Sequence, residues 1–325
     1  MNTNTATAGR TGSDDGFAGR AHARRMLDRY IEALRMDAGI DPDDTGHFAI
    51  DAHAADHGFY LLVVPMLSRC FPSVPAATVD ELGCAFYGIF RMVLAMDRVV
   101  DRNESAPLYD GLIHYTVALR RLSAVFPAAS PVWAGLSTRL HHSVDQIRTE
   151  RKLSADDERA AFMAVAAGKS SLIQLTVDWL DALEPAPSGL ADRLRRSLID
   201  KHLGMQWLDD INDFVVDTEQ GQATWARTRL GLHAKTAGIE LSELAAPRQK
   251  RLLFASGVGE ELLRETNAHF AAALDDVADL DLPEYTATIR SYIERTSLIL
   301  DAIADERTAA QARLDTARRA AKEHA

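Results

Sequence analysis

Residues 202–222 read HLGMQWLDDINDFVVDTEQGQ, and this stretch is the most informative part of the chain. Its apolar residues recur at spacings of three and four, which is the period of an α-helix. At about 100° per residue, Asp209, Asp213 and Asp217 fall within an arc of roughly 80°, and Gln206 lies in the same arc. The sequence therefore predicts an apolar helix that carries one narrow acidic row.

The acidic row needs a cationic partner. Like charges four residues apart repel along a helix, and the sequence has no Lys or Arg between His202 and Thr224 to relieve the repulsion. Mg²⁺ is commonly held by a few carboxylates together with substrate phosphates. We therefore expect Asp209, Asp213 and Asp217 to bind Mg²⁺. The alternative is a solvated acidic face, which would normally contain interleaved basic residues.

The rest of the chain has the same helical period. Apolar positions from Ala21 onward form segments of roughly 20 to 30 residues, separated by clusters of Gly and Pro, and no segment alternates as a strand does. We predict an all-α fold with a single helical bundle of about ten helices over residues 21–305. A disordered tail is expected at 1–20, and an Ala/Arg-rich helix or tail at 306–325.

Charge and composition exclude several classes of protein. The 36 Lys and Arg residues against 47 Asp and Glu residues leave a net charge of −11, which argues against a nucleic-acid partner. The 2 cysteines lack metal spacing, so a disulfide scaffold and a structural zinc site are both excluded. The longest clean apolar run, residues 60–67, is too short to cross a bilayer. We expect a cytoplasmic protein without a transmembrane segment.

A second acidic pair ends another apolar helix, AFYGIFRMVLAMDRVVDRNE at 85–104. Asp97 and Asp101 lie about 40° apart and continue the apolar face that contains Phe86 and Phe90. A buried carboxylate without a partner is costly, so a cation should meet this pair. The alternative is that the aspartates form salt bridges at the helix end to neighbouring arginines.

These residues resemble the aspartate-rich motifs of the class I isoprenoid synthase superfamily, especially the trans-prenyl diphosphate synthases. The second motif of that family is GxxxQxxDDxxD followed by a Gly, and it is matched by Gln206, Asp209, Asp210, Asp213 and Gly221. The first motif, DDxxD, corresponds to DRVVD, in which Asp97 and Asp101 are kept and Arg98 replaces the second Asp. The family's Lys followed by Thr or Ser is matched by Lys169 and Ser170.

The resemblance implies a fold and a chemistry. Its members are all-α, with helices around a central cavity in which two acidic helix faces hold a cluster of up to about three Mg²⁺ ions on a diphosphate. It implies catalytic roles for Asp97, Asp101, Asp209 and Asp213, which with Asp217 would bind the metal. It implies diphosphate binding by Lys169, Gln206 and Arg227, with Arg229 as a further candidate, and a cavity lined by Phe86, Tyr87 and Phe90. For Lys169 the alternative is a lysine at a helix edge, and for each aromatic residue it is core packing.

Several departures concern the second substrate of the family, isopentenyl diphosphate. Asp101 is followed by Arg102, Asn103 and Glu104 instead of paired arginines, Gln222 replaces a Lys, and the first 80 residues lack a GKxxRP segment. We therefore predict a terpene synthase, a lyase that ionises geranyl, farnesyl or geranylgeranyl diphosphate. The alternatives are a prenyltransferase that joins two substrates and a non-catalytic helical subunit that acts on a partner synthase. A homodimer is compatible with the resemblance.

Overall fold

The computed structural model describes residues 16–40, 58–102, 106–154 and 157–323. Every regular element in these ranges is helical, so the all-α prediction is confirmed. The contacts between residues divide the chain into two compact units. Unit 1 comprises Met1–Ser68 and Val74–Ala128, and unit 2 comprises Arg69–Ser73 and Ala129–Ala325.

Unit 1 contains the first acidic motif. Its helices are α1 (Gly16–Ala33, followed by a π-helical turn at Leu34–Ala38), α2 (Gly58–Leu67), α3 (Ala76–Arg102) and α4 (Ala106–Val125). Of the predicted tail, residues 1–15 lie outside the described ranges, and α1 begins at Gly16. The apolar face of α3 is buried, and Asp97 and Asp101 belong to the last turns of this helix.

Helices α3 and α4 approach each other closely at two glycines. A Cβ atom added at Gly88 would lie 2.8 Å from the backbone oxygen of His114, and one added at Gly111 would lie 3.0 Å from the Cβ of Ala95. Close to Gly88, the hydroxyl of Tyr30 and Nδ1 of His114 form a buried hydrogen bond of 2.6 Å. The close packing explains why this helix pair needs residues without side chains at these positions.

Unit 2 contains the second acidic motif and the remaining helices. They are α5 (Val132–Glu150), α6 (Arg159–Lys169), a 3-10 turn (Ser170–Gln174), α7 (Leu175–Leu183), α8 (Leu190–Asn212), α9 (Phe214–Gln220), α10 (Trp225–Ala237), α11 (Ala246–Ala255), α12 (Val258–Asp275) and α13 (Pro283–Glu323). The last of these is one helix of 41 residues, and it includes most of the predicted C-terminal segment at 306–325.

Helix α8 packs closely against α12. A Cβ atom at Gly204 would lie 2.6 Å from the ring of Phe270, whose ring stacks on Tyr292 of α13 with centroids 5.3 Å apart. On another side of α8, Asp178 of α7 accepts hydrogen bonds from Arg139 of α5 and from Arg195 of α8. These contacts hold α8, and with it the acidic row, in one position within unit 2.

One run of helix in the described ranges meets the length and composition of a membrane span. It covers Arg159–Leu183, with a mean hydropathy of 1.3, and 61% of the window is buried inside the protein. The 3-10 turn at Ser170–Gln174 interrupts this run. A core helix of a globular protein has the same properties, so the run is weak support for a span.

Candidate active site

The acidic row crosses a break between two helices, whereas the sequence predicts one continuous helix. Helix α8 ends at Asn212 and α9 begins at Phe214, with Asp213 between them. The single-helix prediction is wrong at this residue, because Asn and Asp side chains compete with the helical backbone for hydrogen bonds. The four-residue register survives, since the N–H of Asp213 donates to the oxygen of Asp209 at 2.8 Å and that of Asp217 to the oxygen of Asp213 at 3.0 Å.

Asp209 is an exposed residue at the end of α8, and the surrounding protein partly shields its carboxyl group from water. The surrounding protein and the nearby carboxylate of Asp213 raise its pKa to about 6, while Lys201 and Lys169 act in the opposite direction. The row therefore has basic neighbours after all, contributed by α6 and by an earlier turn of α8. The carboxylate of Asp213 nevertheless still raises the pKa of Asp209, as expected of neighbouring carboxylates that would bind a cation together.

Asp210 is buried and holds two elements together. Its carboxylate accepts one hydrogen bond from Nε2 of Gln206 at 2.9 Å and one from the backbone N–H of Trp225 at 3.0 Å. Burial raises the pKa of Asp210 to about 7, and the hydrogen bond from Gln206 opposes this shift. Because Trp225 begins α10, Asp210 satisfies a backbone donor at the N-terminus of that helix. The amide of Gln206, predicted to bind diphosphate, is here a partner of Asp210.

Lys169 lies beside the acidic row, at the end of α6. Its charge lowers the pKa of both Asp209 and Asp210. The ammonium donates to both carboxylate oxygens of Glu150, at 3.0 and 2.9 Å. The structure thus places Lys169 near Asp209 and Asp210, two of the acids that the sequence singled out. Glu150 is absent from the sequence-based predictions, because no local pattern marks a residue at the end of α5 as a neighbour of α6.

The two arginines after the second motif are bound to protein groups. The guanidinium of Arg227 donates to the backbone oxygens of Gln222 and Asp217, so it stabilises the loop between α9 and α10. Arg229 pairs with Glu261 and lies over the ring of Trp225, 5.8 Å from its centroid. Their predicted contacts with diphosphate stay predictions.

The aromatic residues of α3 pack within unit 1. Phe86 and Tyr87 are buried, and the ring of Tyr87 meets Tyr30 edge-on at 4.9 Å. Phe90 is half-buried and stacks on Tyr60 with centroids 3.8 Å apart. Their cavity-lining role stays a prediction, and Tyr60 is an aromatic neighbour that no local sequence pattern marks.

The first motif is described at the level of its backbone. Asp97 and Asp101 lie four residues apart in α3, as predicted, and their side chains are outside the described part of the structure. Arg98 is exposed. The metal-binding roles of the two aspartates stay predictions.

The carboxylates of the acidic row in unit 2 suit a Mg²⁺ ion that is bound partly by protein and partly by substrate phosphates. Within the described ranges, no three Asp, Glu, His or Cys side chains converge on a common metal position. Asp209 and Asp213 are nevertheless exposed residues one turn apart, and Asp217 is half-buried one turn further on. Mg²⁺ is often bound by one or two carboxylates, with water and phosphate oxygens as the other ligands. These residues therefore suit such an ion.

The chain has the all-α fold that is seen in several prenyl diphosphate synthases. The chain is similar to a decaprenyl diphosphate synthase from Rhodobacter capsulatus, with a TM-score of 0.67 and 12% identity over 88% of this chain and 99% of that one. It is similar to a geranylgeranyl pyrophosphate synthetase from Geoglobus acetivorans, with a TM-score of 0.65 and 15% identity over 89% and 99% of the two chains. A polyprenyl synthase from Caulobacter crescentus, complexed with calcium and isoprenyl diphosphate, has a TM-score of 0.64 and 14% identity over 89% and 98%.

The sequence itself matches no protein-family model and no curated protein. The TM-scores of 0.64 to 0.67 show a common fold, and the identities of 12% to 15% show no closer relationship. The all-α fold that the resemblance to the isoprenoid synthase superfamily implies is thereby confirmed.

Proposed function

We propose that the protein is a Mg²⁺-dependent prenyltransferase that acts on a prenyl diphosphate, in the cytoplasm. The observation that carries this proposal is Asp209, an exposed residue on an all-α fold whose carboxyl group interacts electrostatically with Asp213 and Lys169. The structural neighbours support transfer to a second substrate, because their names describe synthases of polyprenyl and geranylgeranyl diphosphates. We therefore favour the prenyltransferase, the alternative stated above, over the terpene synthase predicted from the sequence.

The roles of the residues follow from their charges. Asp209, Asp213 and Asp217 supply hard oxygen ligands, and Mg²⁺ bound there would offset the charge of the departing diphosphate. Lys169 offers an ammonium to the phosphate oxygens. Asp210 keeps the end of α8 attached to the start of α10. We assign metal binding at the first motif to Asp97 and Asp101.

The bond changes are those of an allylic substitution. The electron pair of the C–O bond leaves with the diphosphate, and the resulting carbocation accepts an electron pair from the second substrate. Loss of a proton from the adduct restores neutrality. Aromatic ring faces stabilise cations, and Phe90, stacked on Tyr60, is our candidate for this role, followed by Phe86 and Tyr87.

The second candidate function is the terpene synthase, in which the same ionisation occurs without a second substrate. Gln222 and the Arg102–Asn103–Glu104 sequence favour it, because the family's basic groups for isopentenyl diphosphate are missing at these positions. Both candidates share the ionisation step, so they differ in the fate of the carbocation.

Diphosphate release distinguishes the two. Geranyl, farnesyl and geranylgeranyl diphosphates are each incubated with the protein and Mg²⁺, with and without isopentenyl diphosphate, and the products are identified by mass spectrometry. Release that requires isopentenyl diphosphate, with a longer diphosphate as product, supports the prenyltransferase. Release without it, with a hydrocarbon or alcohol as product, supports the terpene synthase instead. No release from any substrate contradicts both and leaves the non-catalytic subunit.

A further inference from the structure

The ion pair between Glu150 and Lys169 joins the ends of two helices beside the acidic row. The side chains are 15% and 22% exposed, so the pair is mostly shielded from water. An ammonium has three N–H donors, and two hydrogen bonds of 3.0 and 2.9 Å go to Glu150. A phosphate oxygen that approaches Lys169 therefore competes with a carboxylate that already holds it.

Lys169 is better placed to meet a ligand than the other cations near the row. Lys201, whose charge also acts on Asp209, is completely buried and lies 5.5 Å from the ring centroid of Tyr292. Arg227 donates to backbone oxygens of its own loop. Lys169 keeps about a fifth of its side-chain surface open, at 22%.

We propose that Glu150 competes with the diphosphate of the substrate for the ammonium of Lys169 and so sets the affinity of the site. Glu150 acts through Lys169, which makes it a positioning residue. The inference rests on the proposed function, since it takes Lys169 as a ligand of diphosphate. In the ligand-free protein, Glu150 keeps Lys169 beside Asp209 and Asp210. On binding, the hydrogen bonds of the ammonium pass to phosphate oxygens.

The test measures the dissociation constant of inorganic pyrophosphate in the presence of Mg²⁺, by calorimetry on the full chain. Glu150→Gln removes the negative charge and keeps one acceptor oxygen, so we expect binding about threefold to tenfold tighter. The matched control is Glu265→Gln, which removes the same charge and breaks the pair with Arg159 in the same unit. It should leave the dissociation constant unchanged.

A double-mutant cycle separates competition from a general change of field. In a Lys169→Gln background, Glu150→Gln should lose its effect, because there is no ammonium left to compete for. With a prenyl diphosphate substrate, the KM of Glu150→Gln should fall by the same factor while kcat changes by less than about twofold. If Glu150→Gln fails to fold, Glu150→Asp keeps the charge but withdraws the oxygens, and binding should tighten by about twofold.

The outcomes distinguish this inference from the proposed function. Suppose that the wild-type protein binds pyrophosphate, but that Glu150→Gln binds it equally well or more weakly. The competition is then overturned and the proposed function stands. The same holds if Glu150→Gln also tightens binding in the Lys169→Gln background. If neither protein binds pyrophosphate with Mg²⁺, and no prenyl diphosphate releases its diphosphate, both are overturned. Tighter binding that depends on Lys169 supports the inference.

Discussion

At the scale of the residue, the two neighbouring aspartates of the second motif have different tasks. Asp209 is exposed and lies in the field of another carboxylate, whereas Asp210 is buried and accepts two hydrogen bonds. A motif written as two equal acids is thus divided into a candidate metal ligand and an attachment point for α10. The division follows from the helix, since adjacent residues point about 100° apart.

Asp213→Ala should abolish turnover without unfolding the protein. The change removes a proposed ligand and also the repulsion that helps to raise the pKa of Asp209. We expect the thermal midpoint without Mg²⁺ to stay the same or rise slightly, as measured by circular dichroism, while diphosphate release falls to background. An unfolded variant would show instead that Asp213 has a structural role. Asp301→Asn, on the exposed surface of α13, is the control for loss of one carboxylate.

The buried carboxyl of Asp210 should make the stability depend on pH. Its pKa is about 7 in the folded protein against an ordinary value of 3.8, because burial disfavours the charged form, so folding favours the protonated form. Its contribution to the free energy of unfolding is therefore full below about pH 4 and is lost as the pH rises towards 7.

Asp210→Asn should weaken this pH dependence. The amide keeps an acceptor oxygen for the N–H of Trp225 and has no charge to bury. We measure the free energy of unfolding with urea between pH 4 and 8. As the pH rises, we expect this free energy to fall less for Asp210→Asn than for the wild type, by a difference on the order of a few kcal/mol. Parallel pH profiles for the two proteins would contradict the role of this carboxyl.

At the scale of the element, the contact between α8 and α12 depends on Gly204. A methyl group at this position would lie 2.6 Å from the buried ring of Phe270, which cannot withdraw without disturbing its stack with Tyr292. Helix α8 carries the second motif, so the contact affects the position of the acidic row as well as the stability of unit 2.

Gly204→Ala should therefore destabilise the protein by about 1 to 3 kcal/mol in urea unfolding, because it overpacks a close helix contact. The matched control is Gly231→Ala in α10, where no atom lies within 4 Å of the new methyl group. That variant should be neutral or more stable by up to about 1 kcal/mol, since Ala favours a helix over Gly. If the two variants had the same stability, the close approach at Gly204 would be refuted.

At the scale of the whole molecule, we expect the proposed activity to require Mg²⁺ and the folding of the chain to proceed without it. The cores of both units are built from buried apolar side chains, which need no metal to pack. The net charge of −11 means that acidic residues outnumber basic ones, so carboxylates are present to bind a cation. A chelator should therefore remove activity and leave the helical content unchanged.

We expect diphosphate release to vanish in excess chelator and to return on addition of millimolar-range Mg²⁺, with circular dichroism unchanged throughout. Calcium is the comparison ion, since it is larger and less strict in its geometry. Full turnover after exhaustive chelation would remove the basis of the proposed function.

The sequence by itself determined the features that depend on local spacing. Apolar positions three and four apart predict helices without knowledge of partners, and the four-residue spacing of Asp209, Asp213 and Asp217 predicts their row. Both depend on backbone geometry within a few turns, so the all-α class and the candidate acids could be read directly.

Only the tertiary structure decided which groups meet these acids. Lys169 pairs with Glu150 across 19 positions of sequence, and Asp210 reaches the N–H of Trp225 across 15. Such contacts depend on how whole helices pack, and helix packing is decided by the summed burial of many side chains rather than by any local pattern. The sequence predicts a row of unrelieved acids, and the packing of α5, α6 and α8 gives that row a basic neighbour.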